Sequence, residues 1–496
     1  KYTQTEVGIH RDIYKFIQNN TTLRYSFHSQ NQSNTLLMLH ESTGNIAAFM
    51  AARELVDEWM IYHYKQKTDD MKYCWYDHGT AERLMTFVRL FVLSAEMEAD
   101  MRFMAKLITV IFEHAQLLSS EVFYARDQNY RYHNHGLFQD IALLSTSLIL
   151  DIFELSEDWK KIAIERMVDQ FDHLIYQEGK FAVLMENSPG YHAGTVRMVA
   201  FIVGMLEAAD DQKNFKFFNE LYEKMNNFTN VIRYPGGRIP SIGDTFRMAN
   251  SQELAERSRK SSQEIGFHAI DKAGYVIVNG QDNGVDFKFI LTATNLNKTH
   301  KHDDHLSFIL FFDGIEWLTD PSFYSHQYTD PIPAYLRSAA AHNVMYLEDR
   351  EFSNEIGIAH LESKLNKNEF EINGYHEAYK NVKIIREVQG SLDKLSLSFK
   401  DKLESSSQVN PIVFFHCAET IVPEKVEEGI LLTSELSDKK ILIKLPKEVD
   451  MKINYGLEEP YRSGWIGSGF SDATKSYTIE CTLKGSELES KISISK

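Results

Sequence analysis

Proline is scarce: only 10 of 496 residues, the first being Pro189. So long a stretch without it favours helix, because proline breaks helix interiors. Cysteine is scarcer still. Cys74, Cys417 and Cys481 lie far apart with no CxxC pair, which excludes a dense disulfide framework and leaves buried reduced thiols, with one bridge as the alternative. Positive charge is in deficit, with 53 Lys and Arg against 70 Asp and Glu, a net −17. That excludes a generic nucleic-acid or anionic-membrane binder, which needs a basic footprint. An anionic substrate stays possible, since a local basic cleft can overcome a distant negative surface. No apolar run reaches the roughly 18 residues of a membrane span. Low-complexity tracts and sequence repeats are missing too, as is a basic-then-apolar leader at Lys1; a cleaved or trimmed leader is compatible with this.

What is present suits a globular chain. Hydrophobic residues make up 43%, aromatics 12% and charged residues 25%, ample for a core. The length suggests about three domains, or two large ones. Leu84, Val88 and Phe91 share one helical face, as do Met104, Leu107, Ile108 and Ile111, and later Met198, Ile202, Met205 and Leu206. Successive helices of this kind from about Asn45 to Asn227 predict an all-helical domain of antiparallel pairs. After about Gly266 the period changes to two. Val276 and Val278 alternate with their neighbours, then Phe287, Phe289 and Leu291, then Leu395, Leu397 and Phe399, then the run KILIKL near Ile441. Such runs, separated by Gly, Asn, Asp and Pro, predict a large antiparallel β-sandwich. The fold class is therefore α+β multidomain, with residues 1–250 helical, 265–496 sheet, and the polar segment Asn250 to Glu264 as junction.

Three constellations could carry chemistry. The densest runs from Thr299 to Tyr324 (THKHDDHLSFILFFDGIEWLTDPSFY). On an extended chain His300 and His302 point to the same face. Asp320 follows a strand and a turn at Asp313-Gly314, and His342 comes later, in RSAAAHN. Two histidines and a carboxylate on adjacent strands suit zinc, with water or another group completing the shell. Each alone reads as an ordinary hydrogen-bonding strand residue; their clustering favours function. The second constellation, RYHNHGLFQD, places His133, Asn134 and His135 before a helix. Free backbone N–H groups there suit an anion, although Asn is more often a simple helix cap at such a position. In the third, ENSPGYHAGTVRM, Tyr191 and His192 enter a helix after a turn and could form a proton-transfer pair. At lower weight, Asp77, His78 and Arg83 could line a groove, Arg337 could hold a carboxylate bidentately, and PSIGD, Pro240 to Asp244, reads as a turn near the cleft.

In their order and spacing, NHG (Asn134 to Gly136), SPGYH (Ser188 to His192), PSIGD, HKHDDHLSF (from His300), GIEWLTDPSFY and RSAAAHN together resemble the heparinase II/III group of polysaccharide lyases. The resemblance covers most of the chain. It implies an (α/α) toroid followed by an antiparallel β-sandwich. It also implies roles: Asn134 neutralises a uronate carboxylate, Tyr191 and His192 match the YH motif, and His300 is catalytic. His302, Asp320 and His342 hold a zinc or similar ion with a structural role, and Arg337 matches a substrate-binding arginine; beside the resemblance, His135 and the groove candidates His78 and Arg83 are expected substrate contacts. The implied partner is an anionic polysaccharide of the heparosan, heparan sulfate or capsule type. The implied compartment is the bacterial periplasm or exterior, with the cytoplasm as the alternative.

The implied reaction is a β-elimination. The proton on C5 of a 4-linked uronate lies α to a carboxylate, so donors at that carboxylate must stabilise the developing dianion. A base takes the C5 proton, an acid protonates the leaving C4 oxygen, and a C4=C5 double bond remains. Tyr191 fits the acid and, for one C5 configuration, also the base; His192 and His300 assist or act as base for the other. Competing readings are an alginate or other uronate lyase, a glycoside hydrolase using two of Glu186, Asp140 and Asp244, a non-catalytic glycan-binding protein on the same scaffold, and a metal-dependent hydrolase.

Overall fold

The computed structural model describes residues 17, 20–64, 70–97, 100–124, 131–247, 251–460 and 462–495. The first 16 residues of the expected helical domain and Asn250 at its expected end lie outside the described residues.

The chain is helical first and sheet-rich afterwards, as α+β requires. The proline-poor half forms long helices, among them Asp77–Glu96, Met101–Ser119, Asn134–Ile149, Glu154–Leu174, Pro189–Ala208 and Gln212–Ile232. Pro189 opens its helix, at the position where a missing N–H costs nothing. The apolar stripes face inward: Leu84, Leu107, Ile111, Ile202 and Leu206 are fully buried. A single short hairpin, Ile175–Glu178 with Phe181–Leu184, interrupts the helices among the described residues.

From Gly266 onward the chain is mostly antiparallel strand. Gly266–Ile270, Tyr275–Asp282, Val285–Thr292, Ser307–Phe312 and Ile315–Leu318 form a five-stranded meander in sequence order. An eight-stranded sheet and a four-stranded sheet follow. Ser396–Ser405 alternates as expected, with Leu397, Phe399 and Leu403 buried. Tyr275–Asp282 does not: Tyr275 and Ile277 are as buried as Val276 and Val278. The meander is covered on both faces. Val276, Val278, Phe287 and Phe289 join the main sandwich core, while Tyr275, Ile277, Ile290 and Phe311 pack with Phe228, Ile232 and Tyr234. A strand covered on both faces reads as a continuous apolar run, so its period is hidden.

Two compact units emerge, and they do not divide at one point in the chain. Lys1–Leu174 and Phe201–Phe218 form the first; Ile175–Ala200 and Asn219–Lys496 form the second. Cys74, Cys417 and Cys481 are buried and free. No helix among the described residues is long and apolar enough to cross a membrane.

Candidate active site

In the second unit, the loop of His300 and His302, the loop of Tyr328 and the end of the helix Pro331–Arg337 converge on one carboxylate, Asp244. Its oxygens lie 2.9 Å from His300 Nδ1, 2.8 Å from His302 Nε2 and 2.9 Å from Arg337 Nη1, and Tyr328 donates its hydroxyl at 3.1 Å. Burial opposes ionisation of Asp244, but the hydrogen bonds from both histidines and the Arg337 charge hold it far below the usual carboxylate range. Arg337 also donates to the Lys301 carbonyl at 2.6 Å and lies over the Tyr328 ring. It is thus already engaged on one edge.

The backbone here is unusual. His300 has φ +57°, Asn187 +53° and Ser322 +69°, a left-handed region costly for side-chain-bearing residues and concentrated at functional sites. Gly243 also has a positive φ, and a Cβ there would stand 2.5 Å from the Asn187 carbonyl oxygen. Asn187 donates to the carbonyls of Asn297 and Thr299 at 2.7 and 2.9 Å, which pins the loop entering His300. The expectation of an extended chain through His300 and His302 is therefore corrected. The chain turns at His300, and the two rings meet Asp244 through different nitrogens.

Tyr191 stacks on His300, ring centroids 3.7 Å apart and planes 19° from parallel. Burial, then the negative charges of Asp244 and Glu186, push the Tyr191 phenol up to about 12, so it holds its proton at neutral pH. Glu186 lies 3.8 Å from His300 Nε2, and burial raises its carboxyl.

His192 is not part of this group. It is buried, its Nδ1 accepts from the Leu184 N–H at 3.1 Å, and its Nε2 donates to the Met225 carbonyl at 3.0 Å. Burial lowers it to about 4. The expectation that it assists or acts as base is corrected: both nitrogens are committed to joining a strand end to a helix.

His302, Asp320 and His342 are buried, and one ligand atom from each lies within 4.8 Å of the others. This group could hold a metal. His302 Nδ1, Asp320 Oδ1 and His342 Nε2 each lack a hydrogen-bond partner among the described residues. The remaining atoms are committed: His302 Nε2 to Asp244, and His342 Nδ1 to Asp320 Oδ2 at 2.9 Å. Orphaned buried lone pairs on one side and carboxylate-fixed N–H groups on the other are the donor set of a metal site.

The first unit carries a second polar group. His133 caps the helix that begins at Asn134, so Asn134 is not the cap. Its buried Oδ1 has no hydrogen-bond partner among the described residues. His135 Nδ1 lies 3.3 Å from both Asp77 oxygens. His78, at the start of the helix Asp77–Glu96, stacks on Phe138 at 4.1 Å and is lowered to about 4 by burial and the His135 charge. Asn134, His135 and His78 thus sit at helix N-termini, where anions are favoured. Arg83 does not share that surface. It is fully buried, bonds His114 Nε2, the His28 carbonyl and Thr80, and lies over Trp59. The expectation of a substrate contact there is corrected: no guanidinium edge reaches solvent.

Sequence reasoning underrated Asp244, read as part of a turn and as a hydrolase carboxylate, and Glu186, weighed only as a hydrolase carboxylate. It passed over Asn187 and Tyr328, and His326, which donates to or accepts from the Tyr328 hydroxyl at 2.9 Å through Nδ1. The Gly-Asp of PSIGD carried some signal; the other three carried none. Of the hydrolase carboxylates, Asp140 is buried against Tyr124 and Gln170, and Asp244 is saturated with donors. That removes the pair of available carboxylates hydrolysis needs.

A tyrosine stacks on a histidine that an aspartate orients, beside a group that could hold a metal. The chain belongs to the heparinase II/III-like family: the family's N-terminal region matches residues 19–264 and its C-terminal region residues 262–494. The expectation of a polysaccharide lyase stands at that level. Among solved structures, heparan sulfate lyase HepC from Pedobacter heparinus shares the fold, with TM-score 0.74, 16% identity, 96% of this chain and 77% of that chain covered. A heparinase III, the BT4657 gene product, matches with TM-score 0.74, 14% identity and coverage of 96% and 80%. No curated protein sequence matches significantly.

Proposed function

We propose that this protein is a polysaccharide lyase that cleaves a 4-linked uronate in an anionic, glycosaminoglycan-like polysaccharide by β-elimination. The observation that carries the reading is the Tyr191–His300 stack with Asp244 on His300 Nδ1. An aspartate on Nδ1–H leaves the Nε2 lone pair to accept a proton, as in hydrolytic triads. His300 Nε2 is therefore the base at C5. Tyr191, protonated at neutral pH, gives its proton to the leaving C4 oxygen. Asn134 and His135 hold the uronate carboxylate, aided by the helix N-terminus. Arg337 offers its exposed edge to substrate, and His78 is assigned a substrate contact of its own. Glu186, raised by burial, is placed to take the proton onward from His300.

His302, Asp320 and His342 would hold a zinc or similar divalent ion. Such an ion supplies a fixed positive charge that locks the loop. Through the His302–Asp244 bond the protein's own residues then orient His300. The role is structural, and no substrate contact is assigned to it. Residues 1–250 would form the toroidal domain and 265–496 the sandwich. A periplasmic or secreted site of action fits a polymeric substrate. The substrate range would be heparosan, heparan sulfate or capsule, with alginate as the alternative.

The test is absorbance near the unsaturated-uronate band during incubation with a panel of uronic-acid polysaccharides. A signal that wild type gives and Tyr191→Phe loses supports elimination. New reducing ends without absorbance would establish hydrolysis instead.

A further inference from the structure

Two helices of the first unit begin at the groups that the lyase reading puts on the uronate. His78 stands in the first turn of Asp77–Glu96, and Asn134 and His135 in the first turn of Asn134–Ile149. Four residues on from His78 and from Asn134, on the same helix faces, stand Glu82 and Phe138. The Phe138 ring lies 4.1 Å from His78, and Glu82 Oε1 lies 3.6 Å from His78 Nε2. Both also line a cavity of about 940 Å³, a size proper to a ligand site. Every lining residue belongs to the first unit. The cavity therefore continues directly from the carboxylate anchor.

Two features select its occupant. First, the wall is acidic. Glu41, Glu82 and Glu96 line it with one arginine, Arg89. Arg89 is already engaged, donating to Asn34 Oδ1 at 2.6 Å and lying 3.3 Å from Glu41. His40, also on the wall, has its Nδ1 on the Asn45 carbonyl at 3.1 Å. A sulfate or a second carboxylate entering here meets like charge, and no unpaired arginine or lysine among the described lining residues offsets it. Glu82 accepts the Tyr25 hydroxyl at 2.7 Å, which favours its ionised form against the upward push of burial. Its side chain keeps 27% exposure. Second, the wall carries apolar groups left open: Met38 and Phe201 are 53% and 47% exposed, beside Phe138 and Met85. An N-acetylated hexosamine meets both demands. Its amide N–H donates to a carboxylate, its methyl and ring C–H groups pack on the apolar wall, and it brings no charge.

We propose that this cavity is the subsite for the sugar adjoining the uronate, and that Glu82 is the specificity-determining residue that admits an N-acetylated, unsulfated hexosamine and rejects a sulfated or uronate neighbour. The inference rests on the lyase reading, with Asn134 and His135 as the anchor. It separates hexosamine-containing polymers from alginate, in which every sugar carries a carboxylate.

The experiment measures kcat/KM by unsaturated-uronate absorbance on three polymers: an N-acetylated, unsulfated uronate–hexosamine polymer, its N-sulfated counterpart, and an all-uronate polymer. Wild type should prefer the first to each of the others by about tenfold or more. Glu82→Gln, which keeps the shape of the side chain, should bring the first two within about threefold. Met85→Lys places a cation on the same wall without touching the Tyr25–Glu82 bond and should act in the same direction, which covers the case in which Glu82→Gln does not fold. Equal rates on the three polymers in wild type, or a preference that survives in every variant that folds, would overturn the subsite and leave the lyase reading intact. Absence of cleavage on all three would instead refute the lyase reading, and calorimetry with the same polymers then decides the subsite. Tighter binding of the N-acetylated polymer, lessened by Glu82→Gln or Met85→Lys, would support it; equal affinities or no binding would overturn it.

Discussion

Replacing Asp244 by Asn is the sharpest perturbation of the proposed machinery. The change keeps shape and removes charge. In the native site one carboxylate accepts from His300 Nδ1, His302 Nε2, Arg337 Nη1 and Tyr328 at 2.8–3.1 Å, with its side chain only 1% exposed. An amide offers one acceptor atom and one donor atom. If its oxygen stays on Arg337 and His302, its NH₂ faces His300 Nδ1. The ring must then carry its proton on Nε2, and the proposed base is lost. An equivalent tautomer error in a hydrolytic triad costs roughly 10⁴ in kcat, so a fall of about 10³–10⁴ with little change in KM is expected. Stability also falls, because Arg337 loses its counter-charge. Breaking a fully buried pair costs about 3–5 kcal/mol, and the 23% side-chain exposure of Arg337 brings this to about 1–3 kcal/mol. Steady-state kinetics, a thermal melt and the nitrogen chemical shifts of His300 measure the three effects. A kcat within about threefold of wild type, or an unchanged His300 tautomer, would refute the reasoning.

His192→Ala should cost about 2–4 kcal/mol, while the folded fraction keeps the wild-type pH–rate profile; a shifted profile would restore His192 to the chemistry. Glu316 is buried with Arg238 and Arg247, and Tyr234 donates to it at 2.6 Å. Burial alone would raise its carboxyl, but the two arginines lower it to about 2. Its folded value lies below the unfolded one, so its contribution is full above about pH 4.5 and lost as pH falls toward 2. Acid melts of Glu316→Gln should therefore be flatter across that window than those of wild type. Chelation should lower the melting temperature if His302, Asp320 and His342 hold an ion, and His342→Ala should abolish both the bound metal, read by elemental analysis, and that sensitivity.

Element type was legible in the sequence because its signals are local. The missing prolines and the apolar stripes of Leu84–Val88 and Leu107–Ile111 belong to single helices, and the alternation at Leu397–Phe399 to one strand. The meander was legible as strand but not as a sheet covered on both faces, since Tyr275 and Ile277 acquire that burial from Phe228 and Tyr234 far away in the chain. The motif residues divided in the same way. His302, Asp320 and His342 stood out by residue type, and the fold brings them together. His192 and Arg83 stood out by neighbourhood alone, and packing took both out of reach of substrate.

By itself, then, the sequence determined helices followed by sheet, the family, and the set of histidines, tyrosine and asparagine from which a site could be built. Only the tertiary structure decided which of them act together. Asp244 lies 56 residues from His300 and 93 from Arg337 along the chain. No local period or spacing records such contacts. They exist because loops held in left-handed backbone at Asn187, Gly243 and His300 turn remote side chains onto one buried charge. That convergence is a property of packing, which a residue's neighbours in sequence do not encode.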